Sequence, residues 1–278
     1  GPADAVDERR VIPDIEEEGE ADMKELIREK LRQIEREEGV RILHAVESGS
    51  RAWGFASPDS DWDVRFLYVR PVSHYLRLNA PRDVIERPLN GELDICGWDI
   101  QKALRLLAKS NPALFEWNGS PIVYTTTASW LDVRRVIDRC FAARASLYHY
   151  LSMAQGNYRE YLKGETVRLK KYFYVIRPIL ACRWILSRGT PPPMRFSDLM
   201  EAELPGEIQP LVVALLERKV RMGEIADGPR IDALNRYIEG QLHEIPQALG
   251  RLPSDPPRHP DELDGLFLRI VLGKGEPA

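Results

Sequence analysis

The stretch GSRAWGFASPDSDWDVR, residues 49–65, contains the residues from which the fold and the site are predicted. It follows a short apolar segment, residues 41–46, and closes with two alternating aspartates, Asp61 and Asp63. Residues 61–69 are rich in β-branched and aromatic side chains, which is typical of a strand. Because side chains alternate across a strand, Asp61 and Asp63 are expected on one face. Two carboxylates presented together in this way suit a divalent cation.

The start of the same stretch has the composition of a phosphate site. Gly49 permits close approach of a phosphate chain, Ser50 adds a hydroxyl donor and Arg51 adds a positive charge. A turn from a strand into a helix also directs backbone N–H groups at an anion. Phosphoryl transfer needs phosphates held in line and cations placed on the developing charge. The sequence therefore predicts a triphosphate site that faces a metal site.

A third carboxylate is expected on a neighbouring strand. Residues 83–96 predict a β-hairpin around an Asn-Gly turn, a dipeptide that supplies the positive φ angles of a type I′ turn. Asp94 lies between two apolar residues of the second strand, so its side chain should leave the apolar face. We expect Asp94 to bind metal and to deprotonate the incoming hydroxyl. Asp99 is the alternative, but it directly precedes the helical pattern of residues 100–109 and is predicted to cap that helix.

Three regions follow from the pattern along the chain. Residues 1–22 carry nine acidic residues against two arginines, which predicts a disordered acidic tail. Residues 23–125 begin with an amphipathic helix and then alternate strand and helix signals, as expected of a mixed α/β domain. Residues 126–278 contain helical patterns and predict a helical C-terminal domain. The expected fold class is α+β, with the mixed sheet first and the helical domain after it.

The composition indicates a folded globular protein and argues against some partners. Hydrophobic residues at 44% and charged residues at 29% are typical of a folded globular chain, and the formal net charge of −4 argues against wholesale coating of nucleic acid. Residues 134–188 nevertheless carry twelve lysines and arginines against three acids, so this stretch is expected to face phosphate. No apolar run reaches the ~20 residues of a membrane span. Three scattered cysteines predict reduced thiols in a cytoplasmic protein without membrane contact.

Three segments together resemble a known family. Residues 49–65, residues 94–104 and the segment KKYFYVIRP, residues 170–178, are similar to the polymerase-β nucleotidyltransferase superfamily and, within it, to the RlaP group associated with bacterial RNA repair. The resemblance implies a mixed sheet backed by helices, two Mg²⁺ ions with Mn²⁺ as a possible substitute, and an NTP such as ATP as donor. It also implies release of pyrophosphate and an RNA 3′ end as the acceptor.

The same resemblance implies that the second domain helps to hold the nucleotide. The residues that it points to are Lys170, Lys171, Tyr172 and Arg177. Helical geometry places Lys170 and Arg177 two turns apart on one face, whereas Lys171 lies about 100° away. We therefore favour Lys170 and Arg177 as the nucleotide contacts.

Other interpretations stay open from the sequence. Arg51 and Arg65 are equally consistent with salt bridges to the nearby acids. The acceptor could be a protein hydroxyl or a small molecule, which the negative net charge favours. A non-catalytic nucleotide-binding or RNA-binding module is a further alternative, although three clustered carboxylates are costly to keep close without a cation.

Overall fold

The computed structural model of the chain describes residues 17–79, 81–89, 92–222, 227–255 and 260–273. The strands, in chain order, are β1 Arg41–Glu47, β2 Trp62–Val69, β3 Val84–Leu89, β4 Leu93–Asp99, β5 Val123–Thr126, β6 Thr166–Arg168 and β7 Asp227–Pro229. The helices are α1 Glu17–Glu38, α2 Gly49–Trp53, α3 Val72–Tyr75, α4 Ile100–Leu107, α5 Pro112–Asn118, α6 Ala128–Ile137, α7 Ala143–Tyr161, α8 Lys171–Arg188, α9 Phe196–Glu203, α10 Gln209–Met222, α11 Asp232–Arg251 and α12 Pro260–Val271.

Five strands form one mixed sheet in the order β3-β4-β2-β1-β5. β2 and β4 run parallel, and the other neighbours in this sheet pair antiparallel. The sheet and its surrounding helices confirm the predicted α+β class. The predicted hairpin is also present, since Leu89 of β3 pairs with Leu93 of β4, while the Asn-Gly turn lies outside the described residues.

Different helices cover the two faces of the sheet. On one face, Ile27 and Leu31 of α1 pack in a core that contains Val64 of β2. On the other face, α4, α5, α6 and α12 form a core around Leu67, in the second half of β2. The first half of β2, which carries Asp63, is only partly buried on that second face. An open area of sheet therefore remains where the predicted metal site lies.

A separate core lies among the later helices. Apolar residues of α7, α8, α9, α10 and α11 pack together, and α8 is the most completely buried of these helices. Phe55, in the connection between α2 and β2, is part of this core. Its ring centroid lies 5.1 Å from that of Phe173 in α8. The helical core thus contacts the segment that joins the Gly-Ser motif to the two aspartates.

The cores do not follow the predicted boundary at residue 125. Trp130 of α6 and both Leu266 and Ile270 of α12 pack in the core on the sheet, not in the helical core. The last described helix of the chain therefore returns to the first region. A local helical pattern predicts which face of α12 is apolar, but it does not predict which part of the protein packs against that face.

Two predictions about the first region meet different outcomes. The side chain of Asp99 accepts a hydrogen bond of 2.8 Å from the Gln101 N–H, which confirms that Asp99 caps α4. By contrast, α1 begins at Glu17, so residues 17–22 of the predicted tail are helical, and residues 1–16 lie outside the described residues. Pairs such as Lys24–Glu20, one turn apart, support a helix in this acidic segment.

Membrane contact and cysteine state were also predicted. No helix in the described part of the chain has both the length and the apolar character that a bilayer crossing demands. Cys96, Cys140 and Cys182 are free thiols, and Cys182 is buried.

Candidate active site

Asp63 and Asp94 lie side by side on the open area of the sheet. They are partners in the register of the parallel pair β2 and β4, so their side chains leave the same face. Asp63 is partly buried, and the Asp94 side chain is 52% exposed. Two carboxylates that are far apart in the sequence thus meet at the sheet surface, as the predicted site requires.

Asp61 directly precedes β2 and is exposed, two residues from Asp63. The backbone at this point is held by Arg51, whose Nη2 donates to the Ser60 carbonyl at 2.7 Å and whose Nε donates to the Asp61 carbonyl at 3.3 Å. The Arg51 guanidinium also lies 3.8 Å from the centroid of the Trp62 ring. The Arg51 side chain is only 10% exposed and holds the chain beside Asp61, and its role in a triphosphate site stays a prediction.

Gly49 packs directly against the Asp63 carboxylate. A Cβ at position 49 would lie 2.2 Å from Asp63 Oδ2, a distance that no side chain can occupy. The φ angle of Gly49 is +62°, in the left-handed region that favours glycine. The Ser48 N–H donates to the Asp63 carbonyl at 2.8 Å. Gly49 and the partly exposed Ser50 therefore begin α2 beside the carboxylate pair, where the sequence placed the phosphate site.

Glu47 was not recognised from the sequence. It is fully buried at the end of β1, where its Oε1 accepts a 2.7 Å hydrogen bond from the Asp63 N–H and its Oε2 accepts one from the Tyr124 hydroxyl. Burial raises the pKa of Glu47 to about 7, although these two hydrogen bonds oppose the rise. The available signal was an acidic residue closing an apolar strand immediately before the Gly-Ser motif. Glu47 thus orients the backbone that carries Asp63.

Burial and neighbouring charges act on the Asp63 carboxyl in opposite directions. Burial raises the pKa of Asp63, and repulsion from Asp94 and Asp61 adds to the rise, whereas Arg65 lowers that pKa. Carboxylate oxygens are the ligands that Mg²⁺ prefers, so the donor set fits this ion. Within the described part of the chain, no three His, Cys, Asp or Glu side chains converge closely enough to hold a metal. The structure brings together Asp63 and Asp94, and Asp61 stays a predicted third ligand.

Comparison with known proteins identifies the family. The model of "RlaP: RNA repair pathway DNA polymerase beta family" matches residues 23–269. The chain belongs to the RlaP family. It is 47% identical over 257 residues to "Uncharacterized protein YcgL" of Bacillus subtilis (strain 168), covering 90% of this chain and 96% of that protein. It is also similar to the crystal structure of a nucleotidyltransferase-like protein from Exiguobacterium sibiricum 255-15, with 16% identity, a TM-score of 0.31, and coverage of 91% of this chain and 82% of that one.

Two of the predicted nucleotide contacts in this RlaP chain are buried. The Tyr172 hydroxyl donates to Asn235 Oδ1 at 2.6 Å and accepts from the Ile231 N–H at 2.9 Å. Arg177 is 2% exposed and donates to Glu116 Oε1 at 2.8 Å. Neither side chain is available to a nucleotide in this structure. Most residues of α8 are buried in the helical core, and the sequence pattern did not predict this burial.

The two lysines that precede these residues in the RlaP chain are partly exposed. Lys171 Nζ lies 4.1 Å from the centroid of the Tyr161 ring and 4.9 Å from that of Tyr174. The Tyr174 ring meets the Trp53 ring edge-on, with centroids 5.4 Å apart, and Trp53 is the last residue of α2. Lys171 thus lies at the end of a row of contacts that reaches the helix beginning at Gly49. Of the favoured pair Lys170 and Arg177, Lys170 is partly exposed and Arg177 is buried.

Family and sheet topology together indicate a nucleotidyltransferase-like fold of the polymerase-β type. The RlaP chain presents its paired carboxylates on the sheet and its cationic residues on α8. Helix α2 packs on Asp63 through Gly49 and contacts Tyr174 of α8 through Trp53.

Proposed function

We propose that this protein is a nucleotidyltransferase that moves a nucleoside monophosphate from an NTP to an acceptor hydroxyl and releases pyrophosphate. One observation carries the proposal: Asp63 and Asp94 are register partners on an open sheet face, with Gly49 packed on the Asp63 carboxylate. Phosphoryl transfer depends on positioning and charge stabilisation far more than on covalent help from the protein. This site offers both.

Each carboxylate has a distinct task in the proposed reaction. Asp61 and Asp63 would hold two Mg²⁺ ions, with Asp94 as a further ligand, and these ions supply stabilisation of the charge that develops on the phosphates. Asp94 is also the proposed general base, because its greater exposure leaves it open to an incoming acceptor hydroxyl. Glu47 and Arg51 act indirectly, by holding the backbone at Asp63 and Asp61.

The donor is proposed to lie between α2 and the start of α8. Gly49 and Ser50 would hold the triphosphate next to the cations, and Lys170 and Lys171 would balance its remaining charge. Tyr174, partly buried between Lys171 and Trp53, offers an aromatic surface near the base. Mn²⁺ is expected to replace Mg²⁺, since both accept oxygen ligands.

An RNA 3′ end is the proposed acceptor. The family description refers to RNA repair, and the stretch of residues 134–188 is strongly basic. Contacts between its lysines and phosphates would make RNA binding weaken steeply with salt. The formal net charge of −4 instead favours transfer to a protein or small-molecule hydroxyl, which is the second candidate.

Radioactive transfer separates these candidates. Each α-labelled NTP is incubated with Mg²⁺ or Mn²⁺ and an RNA that ends in a 3′ hydroxyl or a 3′ phosphate. Labelling only of the 3′ hydroxyl RNA supports the first candidate, and labelling of protein or of small molecules supports the second. Tight NTP binding without transfer under any condition would refute the enzyme and support a binding module.

Substitutions link the transfer to the site. Asp63→Asn and Asp94→Asn are expected to lower the transfer rate by at least about 100-fold, because the charge stabilisation of the transition state is lost. Asp132→Asn is the control, since this aspartate pairs with Arg135 on the exposed side of α6. Full activity in Asp63→Asn would contradict the assignment of the site.

A further inference from the structure

The Arg65 guanidinium lies between the two paired carboxylates. Its Nη2 is 2.8 Å from Asp94 Oδ2 and 3.3 Å from Asp63 Oδ1. Arg65 follows Asp63 by two residues on β2, so both side chains leave the same face of the sheet. A positive charge of the protein itself therefore bridges the two groups that the proposed function assigns to a metal.

This contact is more constrained than an ordinary surface ion pair. Besides the two carboxylates, Arg65 Nη1 donates to the Val64 carbonyl at 3.0 Å and to the Asp94 carbonyl at 3.2 Å. Its side chain is 21% exposed. The planar guanidinium presents several donors in one rigid fork, which a lysine ammonium cannot reproduce. Arg65 is thus held at four acceptors of two adjacent strands.

We propose that Arg65 is an internal counter-ion of the metal site, occupying the space between Asp63 and Asp94 until a divalent cation displaces it. Arg65 then sets the concentration of metal at which the site fills. The proposal rests on the proposed function, because it takes Asp63 and Asp94 as metal ligands. It adds a residue that competes with the metal to the residues that bind it.

The physical consequence has a defined sign. A bound cation must break the Arg65 contacts and must also remain near the positive charge of the displaced guanidinium, and both effects weaken metal binding. Removing the guanidinium should therefore tighten metal binding. If Arg65 served only to orient the carboxylates, its removal would loosen them and weaken binding. The direction of the change separates a competitor from a structural support.

Binding of Mn²⁺ alone tests this inference without reference to turnover. Free Mn²⁺ is measured by its paramagnetic resonance signal during titration of the full-length protein and of Arg65→Met, which keeps the hydrocarbon stem and removes the charge. We expect the dissociation constant of Arg65→Met to be about five- to tenfold lower than that of the wild type. Arg65→Lys should fall between them, because a lysine keeps the charge but loses the fork.

Arg87→Met is the matched control. Arg87 lies on β3 of the same sheet, opposite Ile95 in the register, and pairs with Glu38 away from the carboxylates. Its substitution should leave Mn²⁺ binding unchanged. Far-ultraviolet circular dichroism establishes whether each variant is folded. If Arg65→Met is not folded, the comparison of Arg65→Lys with the wild type tests the proposal.

The outcomes are distinguishable. Equal or weaker Mn²⁺ binding in the Arg65 variants, together with loss of binding in Asp63→Asn, would overturn the counter-ion and leave the metal site standing. Absence of Mn²⁺ binding in both the wild type and Arg65→Met would overturn the metal-dependent function itself.

Discussion

Gly49 illustrates how one residue meets two requirements. Its backbone has a positive φ of +62°, and its missing side chain leaves room for Asp63 Oδ2, which would lie 2.2 Å from a Cβ. The first requirement is conformational and is shared with Gly54, whose φ is +88°. The second is steric and belongs to Gly49, since nothing lies within 4 Å of a Cβ at Gly54. A glycine at position 49 therefore satisfies the turn and also leaves room for the Asp63 carboxylate, the proposed metal ligand.

Gly49→Ala and Gly54→Ala separate these two requirements. Both should lower the free energy of unfolding by about 1 to 2 kcal/mol, because alanine is strained at positive φ. Gly49→Ala should in addition displace the Asp63 carboxylate and reduce nucleotidyl transfer by about 100-fold. Gly54→Ala should retain most of the activity. Urea titration and the labelled transfer assay measure the two effects, and equal activity losses would refute the steric argument.

Three helices meet at a buried ion pair behind the site. Arg177 of α8 contacts Glu116 of α5, and the Tyr150 hydroxyl of α7 donates to the same Glu116 oxygen at 2.8 Å. Arg177 also donates to the Met194 carbonyl at 3.1 Å and lies 4.6 Å from the Trp53 ring of α2. This cluster joins the helical core to the helix that begins at Gly49.

Arg177→Met tests the structural role against the nucleotide role that the sequence predicted. Removing the guanidinium leaves Glu116, whose side chain is only 14% exposed, without its cation, so the unfolding free energy should fall by about 3 kcal/mol. The double variant Glu116→Gln with Arg177→Met should recover part of this loss, because no buried charge remains. A stable Arg177→Met protein with weakened NTP binding would instead restore the original prediction.

The stability of the whole molecule depends on two buried titratable groups of β1, His44 and Glu47. Their contributions to the free energy of unfolding change with pH in opposite directions. His44 is stacked on Trp130 with ring centroids 4.4 Å apart, and burial lowers its pKa to about 4 from 6.5. Glu47 is buried at the end of β1, and burial raises its pKa to about 7 from 4.5. As pH falls from 6.5 to 4, His44 takes up a proton in the unfolded chain before it does so in the folded chain, so the free energy of unfolding falls. As pH rises from 4.5 to 7, the unfolded chain ionises Glu47 first, so stability is again lost.

His44→Phe and Glu47→Gln are expected to expose these opposing contributions. Each shift amounts to about 3 kcal/mol across its window. Relative to the wild type, His44→Phe should gain stability as pH falls below 6.5, and Glu47→Gln should gain stability as pH rises from 4.5 to 7. Urea unfolding at several pH values measures both curves. Two curves parallel to that of the wild type would show that neither group titrates as its burial requires.

The alternation of side chains along strands and the local composition were sufficient to predict several elements of this molecule. The hairpin that carries Asp94 and the cap at Asp99 both depend on residues close in sequence. Strand periodicity, turn chemistry and capping act over a few residues, so a sequence records them directly. The α+β class and the RlaP resemblance followed from the same short segments.

Packing between distant segments decided the rest. The register that sets Asp63 beside Asp94, the position of Glu47 and the burial of Tyr172 and Arg177 depend on contacts across tens of residues. α12 returns to the sheet by the same kind of contact. A helical pattern states which side chains share a face, but which surface covers that face is a property of the assembled chain, because burial is settled by all the neighbours at once.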